Sequence, residues 1–137
     1  MKKKFTILGC GSSLGSPWIT NFRGNLKKNK KNTRTRCCAH IQFGNLSVLI
    51  DTSPDIKNQF LVNNIKSLDA IMYTHEHADQ TSGIFEMRPF FWKNKSKIPV
   101  YGQRKTRGLG INDWEDAKVK GSDLFQDLIP NIPFESL

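Results

Sequence analysis

Acidic residues are missing from the first fifty positions, which hold ten Lys or Arg, whereas residues 51–137 carry eleven basic and twelve acidic groups. The net charge of +9 is therefore an N-terminal property. Clustered Lys and Arg gain by releasing counterions from a polyanion, so this asymmetry suits a phosphate-rich partner. The plainer account is a Lys- and Asn-rich habit, with fifteen Lys against six Arg, expressed in one solvated loop. No run approaches the eighteen apolar residues of a membrane span, which excludes a transmembrane reading and predicts no membrane partner. The start MKKKFTILGCG is basic but only briefly apolar, and reads as a first strand, not a secretion signal. Cysteine is scarce and odd in number, three in all, which argues against a disulfide framework and for reduced thiols in the cytoplasm. Internal repeats are absent, and no histidine follows His77. What the chain does have is a length of 137 residues with 37% hydrophobic and 10% aromatic content. Those values exclude wholesale disorder and allow a single domain with a genuine core.

Lys4 to Leu8 forms a short β-type run that ends in Gly9-Cys10-Gly11-Ser12-Ser13-Leu14-Gly15-Ser16-Pro17. These glycines and serines can expose consecutive backbone N–H groups to an anion, or make an ordinary strand-to-loop turn. Arg23 to Arg36 has no hydrophobic period and seven positive charges, which predicts an exposed, mobile loop. Cys37 to Phe43 and Leu46 to Asp51 are apolar-rich runs separated by Gly44-Asn45, the signature of a tight β-hairpin. Pro54 suits the first turn of a helix running to about Asn63, with Ser53 as its cap and Ile56, Phe60 and Leu61 facing a core. Leu68 to Thr74 reads as a buried strand, Glu86 to Phe91 as a short helix, and Ile98 to Tyr101 as a further strand. Past Gly102 there is only a modest helical signal, around Trp114 to Leu128, before two late prolines. The expected organisation is thus a folded unit over 1–102 and a poorly specified tail over 103–137.

The segment Tyr73-Thr74-His75-Glu76-His77-Ala78-Asp79 holds two of the three histidines. In extended backbone, residues two apart share a face, so the imidazoles of His75 and His77 can converge at the end of the buried strand. Asp79 follows at the same spacing and adds a hard oxygen donor, a mixed set that suits zinc, manganese or iron better than calcium. A pair of histidines two apart is also a common surface feature without chemistry. Cys38 and His40 share a strand face as well, which allows a metal pair or two ordinary strand residues. Asp51, on the residues alone, is equally a strand-end carboxylate capping the next turn.

Leu8-Gly9-Cys10-Gly11-Ser12-Ser13, Leu49-Ile50-Asp51-Thr52-Ser53-Pro54-Asp55 and Thr74-His75-Glu76-His77-Ala78-Asp79, in that order, resemble the metallo-β-lactamase-fold hydrolases. Arg88-Pro89 and Pro99-Val100-Tyr101-Gly102 are similar to the cyclic phosphodiesterase branch of that superfamily, which takes part in phosphonate breakdown. The resemblance spans about residues 3 to 102. It implies an α/β (α+β) fold, the N-terminal half of an αββα sandwich with one or two Zn2+ or Mn2+ ions at the sheet edge. His75 and His77 would bind the first ion and Asp79 the second, while Asp51 would sit behind them and orient the ligands. Asp79 and Asp51 are the implied catalytic carboxylates, and metal-activated water would attack a phosphodiester.

Two departures from the family pattern bear on function. Gln80 stands where the motif closes with a histidine, offering a neutral carbonyl oxygen in place of an imidazole. The family also takes further ligands from a second half, and a hydrolytic zinc needs three protein donors. Three functions therefore compete. They are a phosphodiesterase acting on cyclic phosphates or RNA-like substrates, a truncated or degenerate weakly active relative, and a basic nucleic-acid-binding module. Half a sandwich would leave an apolar face, so self-association is expected, with Leu124, Phe125, Leu128 and Ile129 covering part of that face.

Overall fold

The structure, a computed structural model, describes residues 2–102 and the backbone of 117–120. Six strands form one mixed sheet in the order β1-β2-β3-β4-β5-β6: β1 Lys3–Gly9, β2 Cys38–Phe43, β3 Leu46–Ile50, β4 Ala70–Met72, β5 Ile98–Tyr101 and β6 Ala117–Lys120. The first two pairings are antiparallel and the last three parallel. Phe43 pairs with Leu46, so Gly44-Asn45 is the two-residue turn expected from sequence, and Gly44 supplies the positive φ of 61°. The parallel steps from β3 to β4 and from β4 to β5 carry the helices, as crossover connections require. These are α1 Ile56–Asn63, α2 Ala78–Thr81 and α3 Arg88–Asn94, the last two joined by a 3-10 turn over Ser82–Met87.

One sheet face packs under these helices. Leu49, Ile71, Ile98 and Val100 from the strands meet Ile56 and Phe60 of α1, Ile84 and Met87 of the 3-10 turn, and Phe90 of α3. Phe60 and Phe90 meet edge to face, 5.6 Å between centroids. The opposite face has a smaller cluster of Val48, Ala70 and Met72 with Ile41, Leu46 and Tyr101 beside it. Strand alternation puts neighbours such as Val48 and Leu49 on opposite faces, and both are fully buried. Gly83 lets the 3-10 turn lie against the Ser53 carbonyl, a place that a Cβ would fill, and its N–H donates to Thr52 O at 2.9 Å.

Three expectations are corrected. Leu61 faces solvent, 71% exposed, because α1 turns Ile56, Gln59 and Phe60 inward and position 61 lies a further 100° round the helix. The helix begins at Ile56, with the Ser53 hydroxyl accepting from Asp55 N and the Ser53 carbonyl from Ile56 N. In the tail, Ala117–Lys120 is a strand where a helix was expected, since Ala-Lys-Val-Lys alternates with period two and pairs in register with Ile98–Tyr101. That strand continues the same sheet beyond residue 102. The rest of the tail, including Leu124, Phe125, Leu128 and Ile129, lies outside the described residues.

The Arg23–Arg36 loop is exposed over most of its length but is held locally. Asn29 caps a 3-10 turn at Lys30–Asn32, and Ser16 and Arg34 exchange backbone hydrogen bonds of 2.9 and 2.8 Å. At its end the Arg36 guanidinium donates to both oxygens of Asp55, at 2.9 and 2.6 Å, and Arg36 N donates to the same carboxylate. Among the described residues no helix is long and apolar enough to cross a membrane.

Candidate metal centre

The C-terminal ends of parallel strands are where side chains from successive βα units come together, and β3 and β4 end there with Asp51 and the Thr74–Asp79 segment. Asp51 leaves β3 in the left-handed region, φ 62°, a conformation that Asp tolerates better than most residues. Its N–H donates to Met72 O at 2.8 Å, which locks the turn to β4. The carboxylate, buried, then accepts twice from one residue: Thr74 N at 2.9 Å and Thr74 Oγ1 at 2.8 Å. Thr74 Oγ1 is in turn 2.9 Å from His75 Nδ1.

This chain of contacts fixes a tautomer. A hydroxyl has one proton, and with Asp51 ionised that proton is committed to the carboxylate. Thr74 Oγ1 then accepts from His75 Nδ1–H, leaving the lone pair on Nε2. Burial pushes the Asp51 carboxyl up from its ordinary range. The two Thr74 hydrogen bonds and the nearby His75 pull it back down, and Asp79 pushes it up.

His77 follows in extended backbone and caps α2, its carbonyl accepting from Gln80 N and Thr81 N at 2.9 and 3.1 Å. Its ring meets that of His75 edge to face, 4.6 Å between centroids and 77° between planes. The i, i+2 alternation therefore works for His75 and His77 and stops there, because Asp79 already belongs to the first turn of α2. Asp79 instead accepts from the amide of buried Gln80, at 2.9 Å. Among the described residues, no three His, Cys, Asp or Glu side chains gather where they could share an ion. Donor chemistry fits a zinc or manganese ion in two positions of its shell, the paired imidazoles, and a hydrolytic shell needs at least one more.

Other sequence candidates are placed elsewhere. Cys38 is buried with its Sγ on Asp51 O at 3.2 Å, and burial pushes its thiol up to about 12. His40 is buried with Nε2 2.8 Å from Ser47 Oγ, whose proton goes to Ser67 O. Each has its own hydrogen-bond partner, as an ordinary buried strand residue does. Sequence reasoning missed Thr74, the hydroxyl that joins Asp51 to His75. Its only sequence signal is its place directly before His75.

Comparison with known proteins bears on this arrangement. A family model described as a beta-lactamase superfamily domain matches residues 47–125, a span that includes Asp51 and the His75–Asp79 segment. The chain belongs to the beta-lactamase superfamily. A crystal structure of a diphosphatase from the PhnP family superposes with a TM-score of 0.78 at 30% identity, over 88% of this chain and 50% of that one. Zn(2+)-bound PqqB from Methylobacterium extorquens superposes with a TM-score of 0.63 at 15% identity, over 88% of this chain and 49% of that protein. A curated octanoyltransferase from Porphyromonas gingivalis is 34% identical over 101 residues, which is 72% of this chain and 20% of the relative. The chain thus spans about half the length of the solved structures and a fifth of the curated relative. The mixed sheet with helices is the α/β arrangement of the metallo-β-lactamase fold, and the chain covers about half of these solved neighbours.

Proposed function

We propose that this superfamily member is the metal-binding half of a phosphodiester or diphosphate hydrolase. The observation that carries the reading is the Asp51–Thr74–His75 relay, which presents His75 Nε2 as a lone pair beside the ring of His77. The likeness to the PhnP-family diphosphatase supports a phosphate ester as the substrate class. His75 and His77 would hold a zinc or manganese ion, and Asp79 would contribute once released from Gln80. A bound ion of this kind supplies a water of lowered pKa and a clamp for phosphate oxygens. The chain's own part is to fix the His75 tautomer through Asp51 and to keep the imidazoles side by side.

The test is metal titration of the purified chain with zinc and with manganese, alongside hydrolysis of a chromogenic phosphodiester. Tight metal binding that His75→Ala plus His77→Ala abolishes is the expected result. Affinity unchanged in that double variant would sink the proposal. A second reading is favoured by the contact between Gln80 and Asp79: a relative that binds one ion weakly and turns over feebly. Metal binding without measurable hydrolysis would decide for it.

A further inference from the structure

We propose that the Leu14–Arg36 segment is a docking surface for a single-stranded oligonucleotide. Leu14, Trp18, Ile19, Phe22 and Leu26 are all exposed, Ile19 completely, and Trp18 by 43%. Apolar side chains gathered on one short loop differ from the scattered exposure common on protein surfaces. Trp18 and Phe22 meet at a tilt, 4.8 Å between centroids and 52° between planes, so Phe22 supports the indole while much of it stays open. Within the same segment lie Arg23, Lys27, Lys28, Lys30, Lys31, Arg34 and Arg36, and no acid.

The aromatic and cationic parts are tied together. Trp18 N donates to Phe22 O at 3.0 Å and Asn21 N to Trp18 O at 2.8 Å, closing the aromatic turn. The Ser16–Arg34 backbone pair and the bond from Ser16 Oγ to Asn32 O at 2.8 Å join that turn to the basic arm. Between them is a groove of about 350 Å³ whose walls include Trp18, Ile19, Thr33, Arg34 and the Arg36–Asp55 pair. Asp55 is its one lining carboxylate and is already neutralised by Arg36. The guanidinium of Arg36 is held above its usual range chiefly by its hydrogen bond to Asp55, with a smaller contribution from the charge of Asp79.

Seven cations, of which only Arg36 is paired with the groove's carboxylate Asp55, call for a polyanion, and an open indole in a concave groove calls for a flat π-surface. A single strand supplies both, since its phosphates lie outside and its bases are unpaired. Duplex nucleic acid hides the base faces, and a phospholipid bilayer offers charge but no flat ring to lie against the indole. The surface uses none of the metal-site residues, so it stands whether or not hydrolysis is observed.

Fluorescence anisotropy on the intact chain in chelator tests it with a labelled single-stranded RNA, a DNA strand of the same sequence, its duplex, and phosphatidylserine vesicles. Either strand should bind more tightly than the duplex or the vesicles, and the tighter strand identifies the natural type. Four phosphate contacts give a log–log salt slope of about −3. Replacing Lys27, Lys28, Lys30 and Lys31 by Ala should flatten it. Trp18→Ala should weaken binding about tenfold, while Trp18→Phe retains most of it. Thermal unfolding of each variant checks that the fold is kept. Binding unmoved by Trp18→Ala, a duplex or vesicle bound as tightly as the strand, or no binding at low salt would each overturn the proposal.

Discussion

Asp51 shows what one carboxylate decides at the level of a residue. It holds Thr74 by two hydrogen bonds, and through Thr74 it chooses which nitrogen of His75 bears the proton. Asn at this position would reverse the relay. Its amide would donate to Thr74 Oγ1, the Thr74 proton would pass to His75 Nδ1, and the ring proton would move to Nε2. Asp51→Asn is therefore expected to lower zinc affinity about 10- to 100-fold, the range for groups that orient a metal-bound histidine. Isothermal titration would measure it. Gln80 poses the complementary case, since its amide occupies Asp79 where the family pattern places an imidazole. Gln80→His should raise the number of ions bound per chain, read by elemental analysis after dialysis. A variant with the same metal content would show that the Gln80–Asp79 contact is not what limits the site. Asp51, His75 and His77 were legible as a motif, whereas Thr74 was not, because a hydroxyl beside a histidine has no signature until the backbone turns it towards a carboxylate.

Elements are placed here by a few directed contacts as much as by apolar pattern. Arg36 joins the end of the basic loop to the N-cap residue of α1 through Asp55, a three-bond clamp. The Arg36 guanidinium holds the Asp55 carboxyl below its usual range. A carboxyl lowered in the folded state stabilises above its ordinary range, near pH 4, and that contribution is lost as pH falls through the lowered value. The pair is roughly a quarter exposed, so solvent screening keeps its worth small. Asp55→Asn is expected to cost about 1 kcal/mol at neutral pH. The difference from the unaltered chain should shrink as pH falls below about 4 and vanish once pH is under the lowered value, as followed by urea unfolding across pH. The two sides of α1 make a sharper contrast. Ile56→Ala, at a fully buried position, should cost about 2–4 kcal/mol. Leu61→Ala, on the solvent side, should cost little, within about 0.5 kcal/mol. The apolar letters alone made 56, 60 and 61 equivalent. Gln59 decides the rotation, because its amide reaches Thr35 Oγ1 and Arg36 O, both at 2.9 Å, and must turn inward to do so.

Across the whole molecule, the helices cover one face of the sheet, and the second face extends outward from Val48, Ala70 and Met72. Register places Phe5 opposite Ile41 and Ile7 opposite Ala39, in line with Val48 and Ile50 on that same face. Phe5 and Ile7 are 61% and 65% exposed, on a strand at the edge of the sheet. Exposed apolar side chains on an edge strand favour pairing with another copy. The chain is therefore expected to self-associate in a concentration-dependent way, and Phe5→Lys with Ile7→Lys should shift it towards monomer. Sedimentation velocity over a dilution series measures both. A monomer at all concentrations would show that this face needs no further cover.

By itself the sequence determined the order of the first five strands along the chain, the Gly44-Asn45 turn, the family, and the presence of an aspartate and two histidines with strand-end spacing. Each is local: period two, turn chemistry and short motifs depend on neighbours in the chain. Tertiary structure alone decided the rest. It brought Asp51 and Thr74, twenty-three positions apart, within hydrogen-bond distance by making β3 and β4 parallel neighbours. It ended the histidine alternation by starting α2 at Ala78, which put Asp79 in the first turn of a helix. It made Ala117–Lys120 a strand because β5 offered a free edge to pair with. The first and the last depend on long-range backbone hydrogen bonds between strands, whose partners are set by how the whole sheet assembles and not by the residues on either side.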